Sequence, residues 1–113
     1  MINYIQSLQG LKYNKNCILI KITNVHSKKD LFKRYNEQLK FPFFSENWDS
    51  FYDLLSDLYW IQQNRVVIIH DNIEKINKDD FLIYKEIILE AFYHNYSSQN
   101  KQVDVYFSEK KLL

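Results

Sequence analysis

The sequence predicts an α/β domain in which a three-stranded parallel β-sheet is packed with α-helices. Three short runs, at residues 16–23, 65–70 and 103–107, have the length and the β-branched content of buried strands. The runs are largely apolar rather than alternating, which is typical of strands covered on both faces. The segments between the runs are long enough for the helical crossovers that parallel strands require.

The first helix is predicted from its cap and its spacing. Ser27 is a suitable N-cap for a helix that runs to about Leu39. Pro42 prevents this helix from continuing, because proline has no amide hydrogen to donate and clashes with the preceding turn. Apolar residues recur at helical spacing along the segment, at Leu31, Phe32, Tyr35 and Leu39.

A second helix is expected between this proline and the second strand, and a third before the last strand. Ser45 or Asn47 is the expected cap of the second helix, which runs to roughly Trp60. The third begins at Asp79 or Asp80. It continues to about residue 96 with one apolar side, formed by Phe81, Tyr84, Ile88, Ala91 and Phe92.

The length of 113 residues favours one domain. We expect this domain to occupy residues 16–113 and to follow an N-terminal extension, residues 1–15. Two structures remain open for the extension, an amphipathic turn lying on the domain and a frayed tail. The apolar residues of that turn would be Ile2, Tyr4, Ile5, Leu8 and Leu11.

Composition argues against several classes of function. With a single glycine, Gly10, the chain has neither a dinucleotide-binding nor a phosphate-binding glycine loop. Its single cysteine, Cys17, forms no internal disulfide, and its three histidines lack the spacing of metal ligands. We therefore expect no catalytic residue, no metal and no cofactor. No signal peptide and no apolar run of about 20 residues is present, which favours a soluble cytoplasmic protein without membrane contact.

The second predicted helix has an unusual charge pattern. Four acids, Glu46, Asp49, Asp53 and Asp57, lie between Phe41 and Trp60 without a single Lys or Arg. On a continuous helix they fall within roughly 80° of each other. The opposite side of this helix carries Gln62 and four apolar residues, which are Phe51, Leu54, Leu55 and Leu58.

Such a strip of negative charge has three possible explanations. The carboxylates could perform acid–base chemistry, remain a merely solvated face, or form a recognition surface. A convex helix without a nearby histidine disfavours chemistry. Like charges four residues apart destabilise a helix by a few tenths of a kcal/mol, which favours a surface with a use over a solvated face.

Residues 41–55 also resemble a known family. A proline followed by aromatics, then Glu46-Asn47-Trp48-Asp49 and Asp53 four residues on, is similar to the barstar family of intracellular inhibitors of secreted ribonucleases. The order of the flanking elements fits as well, so the resemblance covers roughly residues 16–108. It implies a three-stranded parallel sheet packed by helices and an inhibitor that acts without chemistry. The implied partner is a ribonuclease toxin, bound by an inhibitor that is a monomer when free.

The resemblance also implies roles for individual residues. Asp49 and Asp53 match two acids that meet the phosphate-binding cations of the nuclease, and Tyr52 matches an aromatic on the same helix. Phe43 and Phe44 match a pair of loop aromatics that cap the base-binding region. The remaining expected contacts are Glu46 and Glu90, the latter matching an acid on the last helix.

This chain departs from the family pattern in its loop. Phe43 and Phe44 stand where tyrosine is usual, and they have no hydroxyl to donate. Ser45 stands where glycine is usual, and the loop is one residue shorter. These differences concern which nuclease is bound more than whether one is bound.

Two tryptophans flank the acidic helix. If the helix persists to Trp60, this ring lies at the angle of Asp49 and forms an exposed contact residue. If the helix ends earlier, Trp60 turns into the core, and the pattern does not separate the two cases. Trp48 is expected to pack as a core or staple residue.

A rival function follows from the uneven distribution of charge. Residues 1–40 carry eight Lys and Arg against two acids, including Lys28, Lys29, Lys33 and Arg34. The rival is a nucleic-acid-binding or regulatory module that uses this basic first third. Because these bases fall on the solvent side of an ordinary amphipathic helix, we expect a solvated face and no binding of nucleic acid.

Overall fold

The computed structural model describes residues 2–5, 16–98 and 101–108. All three predicted strands and all three predicted helices are present, and the α/β class is confirmed. In chain order the elements are β1 (Ile2–Ile5), β2 (Cys17–Thr23), α1 (Lys28–Leu39), α2 (Trp48–Asp57), β3 (Arg65–Asp71), α3 (Lys78–Ser97) and β4 (Gln102–Ser108).

The strands form one parallel sheet in the order β1-β4-β3-β2. Its register aligns Ile20 of β2 with Ile68 of β3, and Ile68 with Val105 of β4. The sheet has one strand more than predicted, because β1 pairs with the outer edge of β4 and places Ile2 beside Val105.

For Ile2–Ile5, therefore, both the amphipathic turn and the frayed tail were wrong. The edge of β4 offers a row of unpaired backbone groups, and a four-residue extended segment satisfies them more completely than a helical turn would. The part of that prediction that concerned Leu8 and Leu11 lies outside the described residues.

The three helices pack on one face of the sheet. This face is formed by Ile20 and Ile22 of β2, alternate residues of β3 such as Ile68, and Val105 and Phe107 of β4, all buried. On the other face of the sheet, the side chains of Val67 and Ile69 in β3 are buried as well.

Phe51 of α2 lies at the centre of the helical layer. Its ring is 4.9 Å from that of Phe32 and 5.0 Å from that of Tyr35, measured between centroids. It also contacts Phe41 and Tyr84, so that one side chain joins α1, α2 and α3. Phe51 is fully buried. The apolar side of α2 is thereby fixed, and the acidic side must face outward.

The caps explain where the helices begin. Ser27 accepts a hydrogen bond from the amide of Asp30, as predicted, at 3.1 Å. Asn47, rather than Ser45, caps α2 and accepts from the amide of Ser50 at 2.8 Å. Asn77 caps α3 in the same way.

The end of α2 differs from the prediction. The helix stops at Asp57, three residues before Trp60, because Leu58 adopts the left-handed conformation with φ 52°. This conformation costs a non-glycine residue about 1–2 kcal/mol. The side chain of Leu58 is fully buried in the core, and burial of a leucine contributes about 1.5–3 kcal/mol, which offsets that cost. Gln62 is consequently off the helix and exposed.

A chain of hydrogen bonds crosses the buried layer between β3 and α1. His70 Nδ1 donates to the backbone carbonyl of Tyr106 at 3.0 Å, since a carbonyl can only accept. His70 Nε2 therefore accepts from the hydroxyl of Tyr84 at 2.5 Å, and Tyr84 accepts from the hydroxyl of Tyr35 at 2.6 Å. Burial lowers the pKa of His70 to about 4, so this histidine is neutral.

The outer edge of β2 is covered by side chains of α1. The amide of Gln38 accepts from the backbone amide of Lys21 at 2.6 Å and donates to the carbonyl of the same residue. Arg34 donates to the carbonyl of Thr23 at 3.0 Å. Such contacts take the place of a further strand and protect an edge from pairing with another chain.

None of the helices described is long and apolar enough to cross a membrane. Within the same residues, no three His, Cys, Asp or Glu side chains are grouped as metal ligands would be.

Candidate functional site

Helices α1 and α2 run in the same direction. Near their N-termini Phe32 contacts Trp48, with 5.1 Å between ring centroids. Near their C-termini the indole of Trp60 donates to the carbonyl of Leu39 at 2.6 Å. The connection formed by residues 40–47 must therefore run back along α2. As a result the loop and the helix present one continuous surface.

Asp49 and Asp53 lie one turn apart on the outer side of α2, and both are exposed. Neither forms a salt bridge within the described residues, where ion pairs join Arg34 to Glu37 and Arg65 to Asp104. Asp49 lies in the first turn, where the helix dipole favours a negative charge. Asp53 is in the middle of the helix and lacks that support.

The two remaining acids of the predicted strip have different positions. Glu46 precedes the cap, Asn47, which has extended backbone angles, so Glu46 lies in the turn before the helix and not on it. Its carboxylate is still exposed beside the first turn. Asp57 is the last residue of α2. The strip therefore consists of three helical carboxylates, preceded by Glu46 in the turn before the helix.

The loop places two apolar rings in solvent. Phe43 is 53% exposed and Phe44 is 47% exposed. Tyr52, on the helix between the two central aspartates, is half-buried and packs against the core. The three rings and the carboxylates belong to one surface, because the loop runs alongside α2.

Ser45 holds this loop against the helix. It is fully buried, and its hydroxyl lies 3.0 Å from that of Ser50 and 3.2 Å from the carbonyl of Asn47. The hydroxyl of Ser50 also donates to this carbonyl. The contacts join the residue after Phe44 to the first turn of α2. From the sequence, Ser45 was expected only as a possible cap or as a departure from the family pattern, and this role was not predicted.

Trp60 is not on the acidic side of α2. Because the helix ends at Asp57, Trp60 leaves the helical spacing, and its ring packs edge-on against Phe41 at 5.6 Å. Its indole nitrogen is occupied by the carbonyl of Leu39. Of the two arrangements left open by the sequence, the structure has the second, in which Trp60 turns inward. Trp48 packs between Phe32 and Phe51, as expected of a core residue.

Glu90 lies on the neighbouring helix α3 and is exposed. One side of α3 faces β4, where Phe81 contacts Phe107, and Asn95 contacts the carbonyl of Leu55 in α2. Helical geometry at 100° per residue places Glu90 about 180° from Phe81 and about 140° from Asn95, on the solvent-facing side of α3. The part of Glu90 in the acidic surface of α2 remains a prediction.

The basic residues of α1 are distributed differently. Lys28 lies over the ring of Trp48, 5.8 Å from its centroid, which brings one cation to the N-terminal end of the acidic helix. Lys29 and Lys33 are exposed on the solvent side of α1, and Arg34 is half-buried against the end of β2.

Chemically, the surface of α2 and its loop offers negative charge and apolar rings. It can neutralise cations and fill an apolar hollow on a partner. A comparison with protein-family models matches residues 16–108 to the family described as Barstar (barnase inhibitor). Comparisons with curated proteins and with solved structures found no match.

Proposed function

The chain belongs to the barstar family, and on that premise we propose that it is the intracellular inhibitor of a ribonuclease toxin. Members of this family are inhibitors rather than enzymes, and their partners are ribonucleases. In this proposal the chain acts in the cytoplasm as the antitoxin or immunity protein of its own nuclease. It binds that nuclease as a monomer.

One observation carries the proposal. Asp49 and Asp53 are exposed, have no ion-pair partner in the described residues, and lie beside a loop with two exposed phenylalanine rings. Unpaired acids on a rigid helix match a cleft that binds the phosphates of RNA. Apolar rings beside them match a hollow that binds bases.

The inhibitor would act by occupation rather than by chemistry. Asp49 and Asp53 place carboxylates where RNA places phosphates, with Glu46 and Glu90 at the margins. Phe43 and Phe44 cover the base-binding region, and Tyr52 contacts the nuclease from its place on α2 between Asp49 and Asp53. Trp60 supports this surface from beneath rather than contacting the nuclease.

The charges and the packed rings contribute differently to binding of the nuclease. A carboxylate 4 Å from a cation gains about 4 kcal/mol at an effective dielectric constant of 20. Desolvation of both groups offsets much of this gain. We therefore assign to the acids the speed and the specificity of association, and to the rings much of the affinity. The contact should be of standard size, on the order of 1,600 Å² in total.

An inhibition titration tests the proposal. The enzymes to be tested are barnase and any small basic ribonuclease that is found encoded beside the gene of this chain. Cleavage of a fluorogenic RNA is followed as the chain is added. The expected result is loss of activity at a one-to-one ratio for at least one enzyme, with no effect of the double variant Asp49→Asn/Asp53→Asn at that ratio. Full cleavage by both enzymes at excess chain would refute the proposal, and binding of the chain to the RNA itself would favour the basic-module rival.

A further inference from the structure

Helix α3 carries a row of apolar side chains on its solvent side. Of the seven large hydrophobic side chains exposed in the described part of the chain, four lie on this helix, namely Leu82, Ile83, Leu89 and Tyr93. At 100° per residue, Leu82, Leu89 and Tyr93 fall within about 40° of each other and form the apolar row of α3. Exposed apolar side chains that are scattered singly need no explanation, whereas a contiguous set marks an interaction surface.

A row of acids runs beside the apolar row with the same spacing of seven and then four residues. Its members are Asp79, Glu86 and Glu90, and all three are exposed. At 100° per residue they also fall within about 40° of each other, on one flank of the apolar row. Neither of the ion pairs within the described residues includes any of these acids. The acid row is therefore available to cations of a partner.

The other flank of the apolar row is basic. It carries Lys78, which is exposed, and Lys85, which is half-buried. The ammonium of Lys85 lies over the ring of Phe81, 5.8 Å from its centroid. The outer side of α3 thus has an apolar centre between two flanks of opposite charge, which is the pattern by which helices select partners and orientation in coiled coils.

The size and the charges of this surface suit one helix of a partner better than a second copy of the chain. Each side of a stable protein pair buries about 800 Å² from roughly 20–30 residues, far more than four apolar side chains supply. An antiparallel copy of α3 would place the acid row against its own counterpart, which is unfavourable. A parallel copy would meet the acids with Lys85, whose ammonium already lies over Phe81.

We propose that the outer side of α3 is a second interaction surface, which binds an amphipathic helix of a partner protein. That helix has apolar anchors at heptad spacing and a row of Lys or Arg on the flank that meets the acid row. Of the residues involved, only Glu90 is shared with the proposed nuclease-binding surface. The buried residues Tyr84 and Asn95, which face α2 and the core, lie on the opposite side of α3.

Two synthetic peptides test this inference on the full chain. Both are three-heptad, alanine-rich helices labelled with fluorescein, with leucine at the two apolar positions of each heptad. One carries lysines along one flank, and the other carries glutamates at the same positions. In fluorescence anisotropy, we expect the lysine peptide to bind at least tenfold more tightly, because like charges face each other with the glutamate peptide. Glu86→Lys/Glu90→Lys should reverse the order of the two peptides.

A matched pair of tyrosine variants tests the apolar row. Tyr93 is 71% exposed on α3, and Tyr59 is 65% exposed beyond the end of α2. Tyr93→Ala should weaken binding of the lysine peptide at least tenfold, because an aromatic anchor is lost. Tyr59→Ala should bind this peptide as the wild type does. Thermal unfolding of each variant checks that the fold is retained.

Several results would overturn the proposal. They are absence of binding of the lysine peptide, equal binding of the two peptides by the wild type, an unchanged order in Glu86→Lys/Glu90→Lys, and equal losses for the two tyrosine variants. Sedimentation velocity of the free chain tests the other occupant. A dimer that Tyr93→Ala converts to a monomer would place a second copy on this surface and would also overturn the proposal.

Discussion

The side-chain amide of Asn95 donates a hydrogen bond to the backbone carbonyl of Leu55, at 2.7 Å. Leu55 is in the last turn of α2, where carbonyls have no partner within the helix. Both residues are fully buried, so water cannot satisfy this carbonyl. Asn95 thus completes the end of the acidic helix and ties it to α3.

Replacing Asn95 by leucine should destabilise the protein. The variant leaves the carbonyl of Leu55 buried without this donor, and we expect the free energy of unfolding to fall by about 1–3 kcal/mol. Urea unfolding followed by circular dichroism measures the change. Glu86→Leu, at an exposed position of the same helix, is the control and should stay within about 0.5 kcal/mol of wild type. Equal stability of Asn95→Leu and the wild type would contradict the assigned role.

Stability should depend on pH through His70. Burial lowers its pKa from 6.5 to about 4, so between these values the unfolded state binds more protons than the folded state. The free energy of unfolding therefore falls as the pH falls from 6.5 to 4, by about 3 kcal/mol for this group. Its contribution is complete above pH 6.5 and is lost at pH 4.

The variant His70→Gln isolates this effect. Glutamine can donate to the carbonyl of Tyr106 and accept from Tyr84, but it does not titrate. The pH dependence from 6.5 to 4 should flatten in this variant, whatever its absolute stability. His26→Gln, at an exposed position, should keep the wild-type slope. A slope that persists in His70→Gln would assign the dependence to other groups.

The acids of α2 should contribute unequally to nuclease binding. We expect Asp49→Ala and Asp53→Ala to raise the dissociation constant at least tenfold more than Asp57→Ala, because the centre of a contact excludes water best. Thermal stability should barely change, since all three side chains are exposed. Isothermal titration calorimetry with the inhibited nuclease compares the variants. Similar losses at all three positions would indicate diffuse steering rather than a docked helix.

The rings should act after encounter. Phe43→Ala and Tyr52→Ala are expected to speed dissociation from the nuclease about tenfold or more, with association nearly unchanged. Leu82→Ala, which truncates an exposed apolar side chain on α3, serves as the control and should leave both rates unaltered. If these variants slowed only association, the rings would not be packed in the complex. Biolayer interferometry resolves the two rates.

The three strands beneath the helices were predictable because each is a short and largely apolar run. The cap Ser27 was predicted as well, and Asn47 is one of the two caps expected for α2, since the side chains of both residues satisfy local amides. By contrast, β1 pairs with β4, a strand about 100 residues away in the chain, and nothing local in Ile2–Ile5 specifies that partner.

At the candidate site, too, the features that depend on local sequence were predictable and those that depend on the folded core were not. The exposure of Asp49 and Asp53 follows from helical spacing opposite the buried Phe51. The end of α2 does not, because it depends on the burial of Leu58 in a core that all three helices build. This one residue decides that Trp60 turns inward and that Tyr59 is exposed. Ser45 was likewise missed, since its hydrogen bonds require the folded loop.

The salt dependence of association tests whether the carboxylates of α2 meet a cationic cleft on the nuclease. Raising the ionic strength from about 0.01 M to 1 M shortens the Debye length from about 30 Å to about 3 Å. Stopped-flow association with the inhibited nuclease should slow at least tenfold over this range, while dissociation changes much less.

Two variants identify the charges that cause the salt dependence of the association rate. Glu46→Gln/Asp49→Asn/Asp53→Asn should flatten the salt dependence of the association rate. Lys29→Gln/Lys33→Gln, which removes two exposed cations of α1, should keep most of it. We expect the slope to be lost with the acids of α2. A slope that is lost with the lysines and kept without the acids would contradict it.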